Sequence, residues 1–366
     1  GSEMCIRDRL RPVPQISGLM KATYTPYRLN FINPAKTSRD TLLSRDTYYI
    51  KVWDDCDPTR YGIGECAIFR GLGDDDRPDY EERLGELCRS INRAGTPDMI
   101  EWPQYTSLRF GLETALNDLA NGGRRIIFPT AWSEGKTEIP INGLIWMGNA
   151  EEMLARIDEK LKAGFRCVKL KIGGIDFNEE LKLLRYIRDR FPADELELRL
   201  DANGAFTPGN ALVRLEALAR YGIHSIEQPI KPRQYDALNL ICRESPIAIA
   251  LDEELIGLHH RHDKETMLDA VNPSYIILKP SLCGGFNSAD EWIELATQRN
   301  IGWWATSALE SNIGLNAIAQ WVSQHHTDMP QGLGTGMLYS NNFASPLRQV
   351  RDVLIYDPHL KWDQIP

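Results

Sequence analysis

The chain contains no apolar run of the about 18 residues that a membrane-spanning helix needs, and its first residues lack the apolar core of a signal peptide. A cytoplasmic protein with no membrane partner is the expectation. Cysteine is sparse and unpatterned: there are seven, an odd number with no C-x-x-C pair, which argues against a disulfide framework and a zinc ribbon alike. Basic charge is also short. With 42 Lys and Arg against 51 Asp and Glu the formal net charge is -9, which argues against a nucleic-acid surface and leaves a small molecule as the expected partner. Histidine is scarce too, at seven residues, and the cluster His259-His260-Arg261-His262 reads as a solvated turn.

What the chain does have is charge placed at the ends of apolar, strand-like segments. Lys169 and Lys171 fall in VKLKIG, Asp201 in LRLDANG, Glu227 in SIEQP, Asp252 in IALDEEL and Lys279 in IILKPS. From Lys169 the steps are 32, 26, 25 and 27 residues, each the length of a strand, a loop and a helix. The period predicts an α/β fold, a (β/α)8 TIM-like barrel in which these charges converge on one mouth, the face where barrel active sites lie. Each residue alone has a plainer reading: the wet face of an edge strand for the lysines, a turn for Asp201, an acidic lead into a helix for Asp252. Their shared position, after runs that must be buried on both faces, argues for a site instead.

The rest of the chain divides around this pattern. Residues 1–19 read as a non-native leader, because Gly1-Ser2 looks foreign and a period-2 alternation starts at Met20. Residues 20–122 read as an α+β capping domain and 123–343 as the barrel, with eight strands from Ile139–Trp146 to Gln331–Gly334. Residues 344–366, with their VLIYDP run, are expected to return to the first domain. The run Asp74-Asp75-Asp76 reads as a solvated turn before a helix.

Strand parity then assigns faces. Lys169 and Lys171, two apart, share the inward face, opposite Val168, Leu170 and Ile172. Arg199, Asp201 and Asn203 share a face in the same way, which makes Arg199 and Asn203 candidates to orient the carboxylates. Asp252 aligns with Ala248 and Ala250, whereas Glu253 is assigned with Ile249 and Leu251 to the helix side. Three carboxylates at one mouth, Asp201, Glu227 and Asp252, need a cation to stay ionised, and an all-oxygen set favours Mg²⁺. Two lysines about 6.6 Å apart repel by roughly 2.5 kcal/mol at an effective dielectric of about 20. With the metal's field added, one is expected to fall toward a pKa of about 7 to 8 and serve as a general base.

Taken together, VKLKIG, LRLDANG, IEQP, LDEE and LKPS resemble the lysine-dependent branch of the enolase superfamily. Within it, TSRD at Thr37 to Asp40, INGLIWMG at Ile141 to Gly148 and TSALESNIGLNAIAQ at Thr306 to Gln320 resemble the o-succinylbenzoate synthase family of menaquinone biosynthesis. The resemblance implies Mg²⁺-dependent dehydration of a small-molecule carboxylate, 2-succinyl-6-hydroxy-2,4-cyclohexadiene-1-carboxylate, through an enediolate. It implies Lys171 as the base, Lys279 holding the ring from the opposite face, and Lys169 beside the carboxylate. Weaker implied substrate contacts are Arg39, Gly284, Gly285, Ser307 and Ser311. Asp40 departs from the glycine expected after Arg39.

Rival branches are separated by what is missing. No histidine falls in GWWATSALES, where the mandelate-racemase-like branch carries its base. N-succinylamino acid racemases and dipeptide epimerases share the same charged residues, but the Asp-x-Asp of dipeptide epimerases is absent from GLGTGMLYSNN. A barrel kept only as a binding module is expected to have lost one of the set, and none is lost.

Overall fold

Side-chain alternation builds the first sheet. In the computed structural model, which describes residues 19–36, 41–97 and 102–365, β1 (Met20–Lys36) pairs antiparallel with β2 (Thr41–Asp54), and β2 with β3 (Asp57–Cys66). Met20, Ala22, Ile50 and Val52 share one face and bury against α1 (Tyr80–Ala94) and α2 (Thr106–Ala120), each large side chain contributing about 2 kcal/mol of burial. β3 crosses α2 so closely that a Cβ at Gly62 or Gly64 would stand 1.9 Å from the Ala115 carbonyl or 1.8 Å from that of Gly111, so neither position admits a side chain. Residues 1–18 of the expected leader lie outside the described residues, as do Arg39 and Asp40.

The longer part of the chain alternates strand and helix. β4 (Ile139–Pro140) and β5 (Gly143–Ile145) precede α3 (Ala150–Lys162), then come β6 (Cys167–Lys171), α4 (Phe177–Arg188), β7 (Glu197–Asp201) and α5 (Ala211–Ala219). The alternation continues through β8 (Ser225–Glu227), α6 (Tyr235–Glu244), β9 (Ala248–Leu251), α7 (Arg261–Val271) and β10 (Tyr275–Leu278). The short α8 (Pro280–Cys283) leads into α9 (Gly285–Gln298), β11 (Gly302–Ala305) and α10 (Asn312–Val322). β5 to β11 form one parallel sheet in chain order, and single parallel bridges from Ile141 to Gln331 and from Thr306 to Gly332 close it into a ring. Val168, Leu170, Leu198, Leu200 and Ile226 point outward into one cluster with helix residues such as Leu184, Leu215 and Leu238. This frees the inner face of each strand for the site.

Two expected strands are cut short. The eighth, Gln331–Gly334, is reduced to the closing bridges, where Gly332 passes so near Thr306 that a Cβ would sit 2.0 Å from its Oγ1. The first, Ile139–Trp146, is split. Pro140 has no N–H for a ladder, and β4 turns aside to pair antiparallel with β13 (Val353–Tyr356), itself paired with β12 (Leu347–Val350). Residues 344–366 divide: VLIYDP joins the start of the barrel because β4 offers it an edge, while Trp362 and Ile365 pack, as expected of the segment, with Tyr27, Tyr49, Tyr61 and Ile63 of the first sheet. Among the described residues no helix is long and apolar enough to cross a membrane.

Candidate active site

Register sets the height of the charged residues. Lys171 pairs with Asp201, Asp201 with Glu227 and Glu227 with Ala250, so three charges and a small residue form one row across four strands, with Asp252 just beyond it. Lys171 and Asp201 of this row open on a cavity of about 330 Å³. Lys169, Lys171, Asp201, Asn203, Glu253 and Lys279 line its barrel side, Leu42 and Phe69 to Leu72 its cap side, and Asn142, Leu144, Trp146, Thr306, Ser307 and Thr335 the wall at the ring closure.

The charges compensate one another in pairs. Lys169 Nζ lies 3.0 Å from Asp201 Oδ2 and also donates to Glu227 Oε2. Lys171 Nζ donates to Asp201 Oδ2 at 2.9 Å and to Asn203 Oδ1 at 2.7 Å, and Lys279 Nζ donates to Asp252 Oδ2. Burial opposes the Lys169 ammonium, but the charges of Asp201 and Glu227 outweigh it and hold its pKa well above the ordinary lysine range. Lys279 is raised in the same way, against burial, by Asp252 and Glu227. Burial likewise opposes ionised Asp201, yet Lys169 and Lys171 bring its carboxyl below the usual range. Glu227 goes the other way: burial first, then the Asp201 charge, push its pKa up. The expectation of mutual lysine repulsion is thereby corrected for Lys169, whose nearest charges are carboxylates.

Whether a metal fits can be asked of the donors themselves. Asp201, Glu227 and Asp252 are buried on adjacent strands, offer only oxygen, and include one orphan, Glu227 Oε1, which is buried without a hydrogen-bond partner. Among the described residues no three His, Cys, Asp or Glu side chains stand converged as a formed metal cage. The lysine ammonium groups balance the carboxylates instead. A hard divalent cation suits this donor set and the open Glu227 oxygen.

Several neighbours hold the row in place. Asn203, at φ 43°, donates its backbone N–H to Asp201 Oδ1 at 3.0 Å and its amide to Glu253 Oε1 at 3.0 Å. Gln228 of the EQP segment accepts from the backbone N–H groups of Asp252 and Glu254 and donates to Glu254 Oε2 at 3.2 Å, fixing the turn that presents Asp252.

The structure moves four sequence candidates elsewhere. Arg199 is inside the barrel, but it donates to Glu197 Oε1 at 2.6 Å and the Pro330 carbonyl at 2.8 Å and stacks 4.3 Å from the Trp304 ring, so it braces the floor two residues below Asp201. Ser311 caps α10 and gives its hydroxyl to buried Glu65 at 2.6 Å. Gly284 and Gly285 do not line the cavity; they join α8 to α9, and Glu113 accepts from the Phe286 N–H at 2.6 Å. Ser307 does line it, hydrogen-bonded to Thr335 at 2.6 Å. Glu253, assigned to the helix side, faces the cavity because β9 ends at Leu251 and parity ends with it.

Sequence reasoning also missed Asn142 and Trp146. Period-2 alternation through Asn142, Leu144 and Trp146 was the available signal. Asn142 is buried with its side-chain oxygen unpartnered, and the Trp146 ring lies 6.0 Å from Lys171 Nζ. Nothing local in Phe69 to Leu72 marks them as a cavity wall.

Known proteins are similar to this chain in sequence and fold. A family model described as enolase C-terminal domain-like matches residues 152–350. An o-succinylbenzoate synthase from Desulfotalea psychrophila is 45% identical over 360 residues, 90% of this chain and 96% of the relative. The crystal structure of MenC from the same organism superposes with a TM-score of 0.82 at 42% identity, covering 93% of this chain and 100% of that one. Muconate lactonizing enzyme from Pseudomonas fluorescens superposes at 0.77 with 20% identity over 95% and 98% of the two chains, a likeness of fold. The chain belongs to the enolase superfamily, among the o-succinylbenzoate synthases.

Proposed function

We propose that the chain dehydrates 2-succinyl-6-hydroxy-2,4-cyclohexadiene-1-carboxylate to o-succinylbenzoate, a step of menaquinone biosynthesis, with Lys171 as the base. The observation that carries this reading is the pair Lys171 and Lys279, on strand ends four apart in the closed ring and facing one cavity that Asp201 also lines, with buried Glu227 and Asp252 bonded to Lys169 and Lys279 at its wall. Lys171 Nζ takes the proton on the carbon bearing the ring carboxylate. The C–H electron pair forms the new ring double bond, the C–O bond breaks, and the proton on Lys171 leaves with the hydroxide as water. Lys279 holds the ring by charge and by its π-face from the opposite wall. Asn203, which accepts from Lys171, keeps that amine beside Asp201 at the cavity wall.

Asp201, Glu227 and Asp252 are the side chains that would hold a divalent cation, which we take to be Mg²⁺. When bound it would supply the positive charge that stabilises the negative charge developing on the substrate carboxylate. Lys169, bonded to Asp201 and Glu227, orients both.

Incubating the purified chain with Mg²⁺ and the cyclohexadiene substrate, and following loss of the diene absorbance, tests the reading. Appearance of o-succinylbenzoate is expected; an inert, folded chain would overturn it. The opposed lysines also favour a second activity, racemisation of N-succinyl amino acids, which needs an acid and a base on two faces of one carbon.

A further inference from the structure

The two motifs that looked like solvated turns meet each other. Asp74 Oδ2, in the loop after β3, lies 2.7 Å from His259 Nε2, in the loop after β9. His259 is largely buried, at 15% side-chain exposure. The contact joins the two halves of the cavity: Phe69 to Leu72, just before Asp74, line its cap side, and Asp252 and Glu253 begin the segment that ends in His259.

Both sides of the contact are stiff. On the cap side, Asp76 accepts from the Gly71 N–H at 2.7 Å and from Arg70 at 2.9 Å, and Asp75 accepts from the Ser107 N–H at 2.9 Å at the start of α2. On the barrel side, the Arg233 N–H donates to Glu254 Oε1 at 2.7 Å, and its guanidinium bonds the carbonyls of Glu254 and Ile256. A hydrogen-bonded loop and a hydrogen-bonded turn are thus joined through the Asp74–His259 pair. Displacing it would move the Phe69 to Leu72 wall as a body.

We propose that His259 is a positioning residue for the dehydration: through Asp74 it latches the cap loop to the turn carrying Asp252 and Glu253, and so sets the distance between the cavity's two walls. This rests on the reading that the cavity takes the cyclohexadiene dicarboxylate. His259 touches no reacting atom, so its loss weakens substrate and transition-state binding alike and leaves the chemical step intact.

The test is a double-mutant cycle on the full-length protein with Mg²⁺. Asp74→Ala, His259→Ala and the double variant should each raise KM about tenfold with kcat within about twofold, the double being no worse than either single. His259→Gln, which keeps an N–H donor, should recover most of the affinity. Amide hydrogen exchange should speed up in residues 69–76 of His259→Ala and stay unchanged in residues 167–171. Additive KM effects, or unchanged exchange in residues 69–76, would overturn the latch. So would a His259→Ala defect confined to kcat. If the unaltered chain fails to turn over the substrate, the functional reading fails, while the exchange measurement still decides the latch.

Discussion

The barrel mouth and the cap loop above it both concentrate charge, but they place it by different means. Lys171, Asp201 and Glu227 come from three separate strands and are brought into one row by register, so a side chain's direction follows from its position in a period of two. Asp74, Asp75 and Asp76 are consecutive, yet they reach His259, Ser107 and Arg70. A turn has no period to fix direction. The mouth should therefore answer to substitution in chemistry and metal binding, and the cap loop in substrate affinity and stability.

The largest departure should come from removing a mouth carboxylate. Glu227→Gln, or a chelator, should lower dehydration by about 10³-fold or more, because the charge stabilisation attributed to the metal is worth several kcal/mol. Mg²⁺ should raise the melting temperature of the unaltered chain, since it binds the folded state, and that shift should vanish in Glu227→Gln. Thermal melts with and without Mg²⁺ check this; an undiminished shift in the variant would remove Glu227 from the metal set.

Lys279→Arg should split the two activities. Arginine keeps a positive charge near the ring but has no accessible neutral form, so dehydration should fall by about tenfold while any racemisation of N-succinyl amino acids disappears. Racemisation that persists would mean that Lys279 moves no proton.

The smallest effect on turnover lies in the cap. Asp75 is fully buried, and burial raises its carboxyl from 3.8 to about 6. The folded state therefore holds this proton more tightly than the unfolded chain. Its stabilising contribution is present below about pH 4 and lost as pH rises through about 6, amounting to about 3 kcal/mol. Asp75→Asn, neutral throughout, should flatten that decline. Urea unfolding at pH 4 and pH 7 measures it, with kcat unchanged; an equal decline in the variant would assign the dependence to other groups.

The same contrast governs what the sequence made legible. The lysines and carboxylates of the mouth could be placed because buried parallel strands leave only one direction for a charge to point; Asn203, past the end of β7 at a left-handed φ, is held on that side by its bonds to Lys171 and Glu253. Glu253 could not be placed, because the strand had already ended. Arg199 obeyed parity and was still misassigned, since facing inward does not say at what depth a side chain finds its partner. Ser311 and Gly285 are claimed by Glu65 and Glu113, residues roughly 250 and 170 positions earlier in the chain, and no local pattern announces such a contact. Asp74 and His259 were both visible as motifs; their meeting depends on how the cap sits on the barrel.

The central claim is that Lys171 removes the α-proton. Its most direct test is dehydration by Lys171→Ala beside the unaltered chain, using substrate deuterated at the α-carbon and checking Mg²⁺ binding by thermal melt. A primary isotope effect is expected in the unaltered chain, and a rate in Lys171→Ala lower by about 10⁴-fold, the upper range for loss of a general base, with metal still bound. Dehydration by Lys171→Ala at a comparable rate would contradict it.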